Sequence, residues 1–178
     1  EITIDVLRHE EFKEDAYIRP LAYKASETIG VRLHDLAAAC ALFAVPFGAY
    51  IDKPEGARLM VSSWRRLSDE ALPARGKITG AYVNSALAKT EAALNGFDDA
   101  LMLGSDGHVS EASAANFFIL RSGVLTTPPV TEDILEGITR HTFLRMAEDI
   151  GVPTVERPID RSEVYMADES FICGTAVG

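Results

Sequence analysis

The stretch LPARGKITGAYVN, residues Leu72–Asn84, sets Lys77 between Gly76 and Gly80 just ahead of a helical pattern, with Tyr82 five residues further on. Lysine is seldom fully buried without a partner. This one lies among small and apolar residues, where a bulky ligand can approach the backbone closely. Such a position suits a lysine that forms a Schiff base. Its amine must shed a proton to attack a carbonyl, and burial or a neighbouring cation lowers a lysine pKa from about 10.4 toward neutrality. Arg75 stands two residues away as the candidate cation. A lone lysine between glycines is more often a basic surface loop, so the rest of the chain has to decide.

Downstream, Val83, Leu87, Ala88, Glu91 and Leu94 predict a helix from about Gly80 to Asn95, stopped by Asn95-Gly96. Short strands follow at 100–103, 108–111, 116–120 and 124–127, with turns at Ser105-Asp106-Gly107 and Ser122-Gly123. Such a run of hairpins argues for a mainly antiparallel sheet, hence an α+β fold. Glu111 falls where a strand gives way to the small residues Ala112–Ala115, a position usually solvated. Leu135-Glu136-Gly137-Ile138-Thr139-Arg140 opens a second helix, which Gly151 stops. A glycine and a threonine at a helix start offer free N–H groups, a hydroxyl and the positive end of the dipole, which suit a phosphate. Thr139 reads equally well as an ordinary cap. A strand at 154–158, a short helix at 162–168 and a last strand at 170–173 lead to Gly174-Thr175-Ala176, a second turn able to donate N–H groups to an anion.

Upstream, Ile2–Phe12 has the spacing of an amphipathic helix, and Tyr17, Arg19, Leu21 and Tyr23 share one face of a strand. A phenol beside a guanidinium makes a carboxylate receiver, although an edge strand with an exposed arginine has the same pattern. Leu36–Val45 reads as a buried strand, broken at Pro46-Phe47-Gly48-Ala49-Tyr50. Phe47 and Tyr50 are candidates to line an apolar pocket, or are simple packing. The best linker is Ile51–Arg58, which divides the chain into residues 1–49, a linker 50–57 and a larger domain 58–178.

Composition narrows the classes. With 47% hydrophobic and 25% charged residues, the 178-residue chain is an ordinary globular one. Its net charge of −10 argues against a nucleic-acid or anionic-membrane surface, so anionic ligands need local cations and N–H groups. The longest apolar run is too short to span a membrane and contains Pro46. Cys40 and Cys173, far apart, fit reduced cytoplasmic thiols, and no zinc-binding spacing is present. The chain starts at Glu1 in what reads as a helix and stops at Gly178 after a turn, so both ends are expected to belong to something longer.

Taken in order, AYIRP, PFGAY, VSSWRR, the GK…Y segment, DGHVSEASAANFFI, LTTPP, LEGITR and ADESFICGTA closely resemble the branched-chain aminotransferases, fold type IV enzymes that use pyridoxal phosphate. The resemblance implies a two-domain enzyme with a barrel-like large domain and only the last part of the small one. It implies that Lys77 carries the cofactor and moves protons, that Tyr82 bonds the phenolic oxygen, and that Glu111 pairs with the pyridine nitrogen. Leu135 packs on the ring, while Gly137, Ile138, Thr139, Gly174 and Thr175 hold the phosphate. Tyr17 and Arg19 receive substrate carboxylates, Phe47 and Tyr50 wall the side-chain pocket, and Thr175-Ala176 meets the α-carboxylate. The implied substrates are leucine, isoleucine or valine and 2-oxoglutarate, the implied assembly a homodimer or higher oligomer. Two departures stand out: ASAAN at 112–116 where many relatives have GAGEN, and Glu136 where they have proline. Sister activities, an (R)-amine or D-amino acid transaminase or an aminodeoxychorismate lyase, share the lysine, the glutamate and the phosphate turns. A form lacking the family's N-terminal arginine for the phosphate is a third reading, with little activity expected.

Overall fold

The computed structural model describes residues 1–48, 51, 53 and 55–177. The chain falls into two compact units, Glu1–Tyr50 and Ile51–Gly178. The first holds helix α1 (Ile2–Glu10) and strands β1 (Ala16–Lys24) and β2 (Ala38–Pro46). These strands form an antiparallel ribbon in continuous register from Ala16↔Pro46 to Lys24↔Ala38. Pro20, opposite Leu42, is tolerated because each strand of a two-stranded ribbon keeps a free edge. The apolar run at 36–45 was expected to be buried, yet no residue of β2 is. Apolar alternation reports what a strand can bury, and a ribbon with one helix supplies too few layers to do it.

The second unit continues with β3 (Leu59–Arg65), a 3-10 turn at 79–81, α2 (Tyr82–Leu94), β4 (Asp99–Leu103), β5 (Val109–Ala112), β6 (Asn116–Arg121) and β7 (Val124–Thr127). A 3-10 turn at 130–132, α3 (Ile138–Asp149), β8 (Thr154–Glu156), a 3-10 turn at 163–166 and β9 (Glu169–Cys173) complete it. One sheet runs β3-β4-β5 and the other β8-β7-β6-β9. Pairing is antiparallel except between β3 and β4 and between β7 and β8. The fold is α+β, as the hairpin spacing implied.

Strand alternation explains the layering. Leu101 and Leu103 of β4 join Phe117 and Ile119 of β6 in one central cluster with Val109 and Ile159. Their neighbours point the other way. Ala100 and Met102 pack on Ala88 and Ala92 of α2. Phe118 packs with Leu144 and Ala147 of α3 and stacks on Phe171 at 4.8 Å between centroids. The two sheets therefore share a core, and each carries a helix on its outer face. Burying a side chain the size of Phe118 contributes about 1.5–3 kcal/mol. Both helices stop where a glycine supplies a positive φ. Gly96 (78°) and Gly151 (76°) let Phe97 N–H return to Ala92 and Val152 N–H to Ala147.

Candidate active site

Glu111 lies on β5 and is only 5% exposed, contrary to the solvated reading of its position. Three groups meet its carboxylate. Arg66, just past β3, sets Nη2 2.7 Å from Oε1. Asn116, the first residue of β6, donates from Nδ2 to Oε2 at 3.0 Å, and the Leu135 N–H reaches the same oxygen at 3.2 Å. Burial pushes the Glu111 carboxyl up to about 7, opposed first by Arg66, then by the Leu135 N–H and by the charges of Lys77 and Arg140. A group poised there can hold or surrender a proton near neutrality.

The same asparagine fixes the loop that follows. Its Nδ2 also donates to Leu135 O at 2.9 Å, and a Cβ at Gly137 would lie 2.1 Å from its Oδ1. Only glycine fits at 137. From that residue, in extended conformation, α3 begins at Ile138. The first α3 bond runs from His141 N–H to Gly137 O, so the N–H groups of 138–140 have no acceptor within the helix. Thr139 lies inside the first turn and makes no side-chain cap, which removes the capping alternative. Asn116 also pairs with Cys173, so the turn that follows β9 starts beside it. That turn closes by bonds between Gly174 and Val177, leaving the N–H groups of Thr175 and Ala176 outside them. Burial pushes the Cys173 thiol up to about 11, so the sulfur here is an inert filler.

Lys77 is exposed, on the loop before the 3-10 turn, with Nζ 5.7 Å from the centre of the Tyr82 ring. Arg75 does not serve as its cation. Its Nε meets Glu136 Oε1 at 2.5 Å and its Nη1 lies 3.9 Å from Asp69, so two carboxylates already match its charge. In the first unit, Arg19 Nη2 donates to the Tyr17 hydroxyl at 2.8 Å, and the Tyr17 ring packs 5.3 Å from Phe47. Tyr50 lies outside the described residues.

Thus Glu111, Leu135, Gly137, Ile138 and Thr139 share one loop system, Gly174, Thr175 and Ala176 adjoin it, and Lys77 stands on Tyr82. Sequence reasoning passed over Arg66 and Asn116. Arg66 lay within the quoted VSSWRR and Asn116 within ASAAN, but neither spacing announces a partner 45 or 5 residues away. A signal existed in the second arginine of a strand end that turns into the core, where only a paired cation is tolerated.

The profile of the family described as amino-transferase class IV matches residues 1–178. A probable branched-chain-amino-acid aminotransferase of Aquifex aeolicus is 48% identical over 177 residues, 99% of this chain and 57% of the relative. The crystal structure of a branched-chain aminotransferase from Thermoproteus uzoniensis with norvaline superposes with a TM-score of 0.94 at 46% identity, covering 98% of this chain and 59% of that one. That of the Thermobaculum terrenum branched-chain amino acid aminotransferase in its PLP form gives 0.89 at 39% identity, with 98% and 57% covered. The chain spans less than two thirds of the length of these relatives.

Proposed function

This chain belongs to the class IV amino-transferase family, and from that premise we propose that it acts as a pyridoxal phosphate-dependent transaminase of branched-chain L-amino acids and 2-oxoglutarate. The observation that carries the reading is Glu111, a buried acid titrating near neutrality and held from both oxygens. The donor set fits the cofactor: an amine, an acid for a ring nitrogen, and two turns with spare N–H groups for a phosphate. When bound, pyridoxal phosphate supplies an aldehyde that accepts the amino group and a protonated ring that takes up the electrons left on Cα.

Lys77 is the amine for the aldehyde carbon and the base that carries the proton from Cα. Glu111 keeps the ring nitrogen protonated, with Arg66 and Asn116 fixing its direction. Tyr82 offers its hydroxyl to the phenolic oxygen, and Leu135 covers a ring face. Residues 137–139 and 174–175 hold the phosphate by N–H groups and hydroxyls. Tyr17 and Arg19 form a ready carboxylate receiver, with Phe47 and Tyr50 for the apolar side chain and Thr175-Ala176 for the α-carboxylate. Residues 1–49 are the end of a small domain and 58–178 the bulk of a large one. Among the described residues no helix is long and apolar enough to cross a membrane. A cytoplasmic homodimer completes the reading, and a monomer in light scattering of the full-length protein contradicts it.

Borohydride reduction of the cofactor-loaded full-length protein, followed by peptide mapping, is expected to put the cofactor's mass on Lys77. A label on any other residue rejects the assignment. A substrate panel tests the specificity: exchange with L-leucine is expected, whereas exchange with D-alanine or (R)-1-phenylethylamine alone selects a sister activity.

A further inference from the structure

Lys77 stands on a loop and Glu111 on β5, and one residue is bonded to the surroundings of both. Asp133 follows the 3-10 turn at 130–132 and precedes Ile134, which is 1% exposed. Its carbonyl accepts from Arg66 Nε at 3.2 Å, the same guanidinium whose Nη2 meets Glu111. Two residues on, the Leu135 N–H meets Glu111 as well. The Asp133 side chain serves the lysine loop. Its Oδ1 accepts the Asp69 N–H at 2.8 Å, and Asp69 Oδ1 in turn accepts the Ala74 N–H at 2.8 Å. Ala74 is buried and lies three residues before Lys77. Backbone and side chain of one aspartate thus join the loop that delivers the amine to the clamp around the acid. Asp133 has φ 57°, a left-handed conformation that aspartate and asparagine tolerate better than most residues.

We propose that Asp133 is a positioning residue that fixes the Lys77 loop against the Glu111 clamp and so sets the separation of amine and acid. The inference rests on the assignment of Lys77 and Glu111 to pyridoxal phosphate. In that cofactor the aldehyde and the ring nitrogen lie at opposite ends of a rigid pyridine, so a grip on one end serves only if the other end arrives at its partner. A misplacement of about 1 Å can cost about a hundredfold in rate. Lys77 is exposed and follows a glycine, so its loop has little stiffness of its own and the tie must come from outside. The Arg75–Glu136 pair supplies little of it, because both side chains are about half exposed. The Asp133 relay ends on backbone N–H groups, which have no rotamers to lose. No sequence spacing announces it, since Asp69 and Asp133 are 64 residues apart.

The test uses full-length protein freed of cofactor and takes two readings. Binding of deoxypyridoxine phosphate, which has a methyl group in place of the aldehyde, reports the acid and phosphate grip alone. The rate of pyridoxal phosphate capture reports the lysine: amine and aldehyde lose water, borohydride reduces the C=N bond that forms, and the label on Lys77 is followed in time. Asp133→Gly keeps the carbonyl and the left-handed conformation but deletes the acceptor. It is expected to slow capture by about tenfold or more while affinity for the analogue stays that of wild type. Asp133→Asn retains an acceptor oxygen and is expected to restore the wild-type rate. Asp69→Ala, at an exposed position, breaks the relay at its next link and is expected to repeat the slowing even where Asp133→Gly does not fold. Capture at the wild-type rate in either folded variant, or an equal loss of capture and of analogue affinity, overturns the proposal. Failure of the cofactor assignment itself reads differently, because wild type then carries no label on Lys77.

Discussion

Arg66 holds Glu111 across 2.7 Å in a setting where 10% of the arginine side chain and 6% of the glutamate side chain are exposed. A charge pair so placed costs desolvation on both sides. Its worth shows when one partner is removed, because the other is left buried and alone.

Arg66→Met is therefore expected to cost about 3–5 kcal/mol at pH 8. Protonation of Glu111 relieves part of this, so the deficit is smaller at pH 5. Denaturant unfolding of variant and wild type at both pH values checks it, and an equal loss at the two would show that the pair is not the cause.

Gly137→Ala places a methyl 2.1 Å from Asn116 Oδ1, and the amide must turn away from Glu111 and Leu135. Leaving those buried groups unsatisfied costs about 1–3 kcal/mol. Cofactor affinity is expected to fall about tenfold or more, a loss of about 1.4 kcal/mol or more. Fluorescence titration with pyridoxal phosphate measures it, and unchanged affinity counts against the loop as the phosphate holder.

Two carboxylates give opposite pH limbs in the cofactor-free protein. Burial lifts Glu111 to about 7. The native state then binds more protons than the unfolded one between the ordinary 4.5 and 7, so its contribution is full below 4.5 and is lost as pH rises through 7. Glu163 is held down to about 2 by hydrogen bonds from Arg157 and then Arg121, against its own desolvation. Its contribution is full above 4.5 and lost as pH falls through 2. Glu111→Gln is expected to flatten the first limb of a stability-against-pH curve and Glu163→Gln the second. Each variant that leaves its own limb intact removes that residue from the account.

Arg75→Ala is expected to change stability by no more than about 1 kcal/mol, since its partners are surface carboxylates. With its charge already matched by Glu136 and Asp69, the pH dependence of cofactor reduction at Lys77 is expected to stay as in wild type. A shifted profile would restore the role that sequence proximity suggested.

Local chemistry made much of this chain legible before folding. The two helices with their glycine stops, the hairpin order from 99 to 127 and the glycine-threonine turns follow from backbone propensity, which acts over a few residues. The ordered motifs carried the family. Boundaries moved slightly where caps decide them, as when α3 starts at Ile138 rather than at Leu135.

Sequence alone determined the elements and the lysine in its glycine frame, whereas the need for glycine at 137 comes from Asn116 across the fold. Only the tertiary structure decided that Glu111 is buried rather than solvated, that Arg66 and Asn116 hold it, that Arg75 turns to Glu136, and that the apolar β2 stays exposed in its ribbon. The reason is range. Propensity and periodicity act between neighbours along the chain, whereas burial and charge pairing depend on which distant segments arrive on the same face, and Arg66, Glu111 and Leu135 meet only after β3, β5 and the loop to α3 have packed.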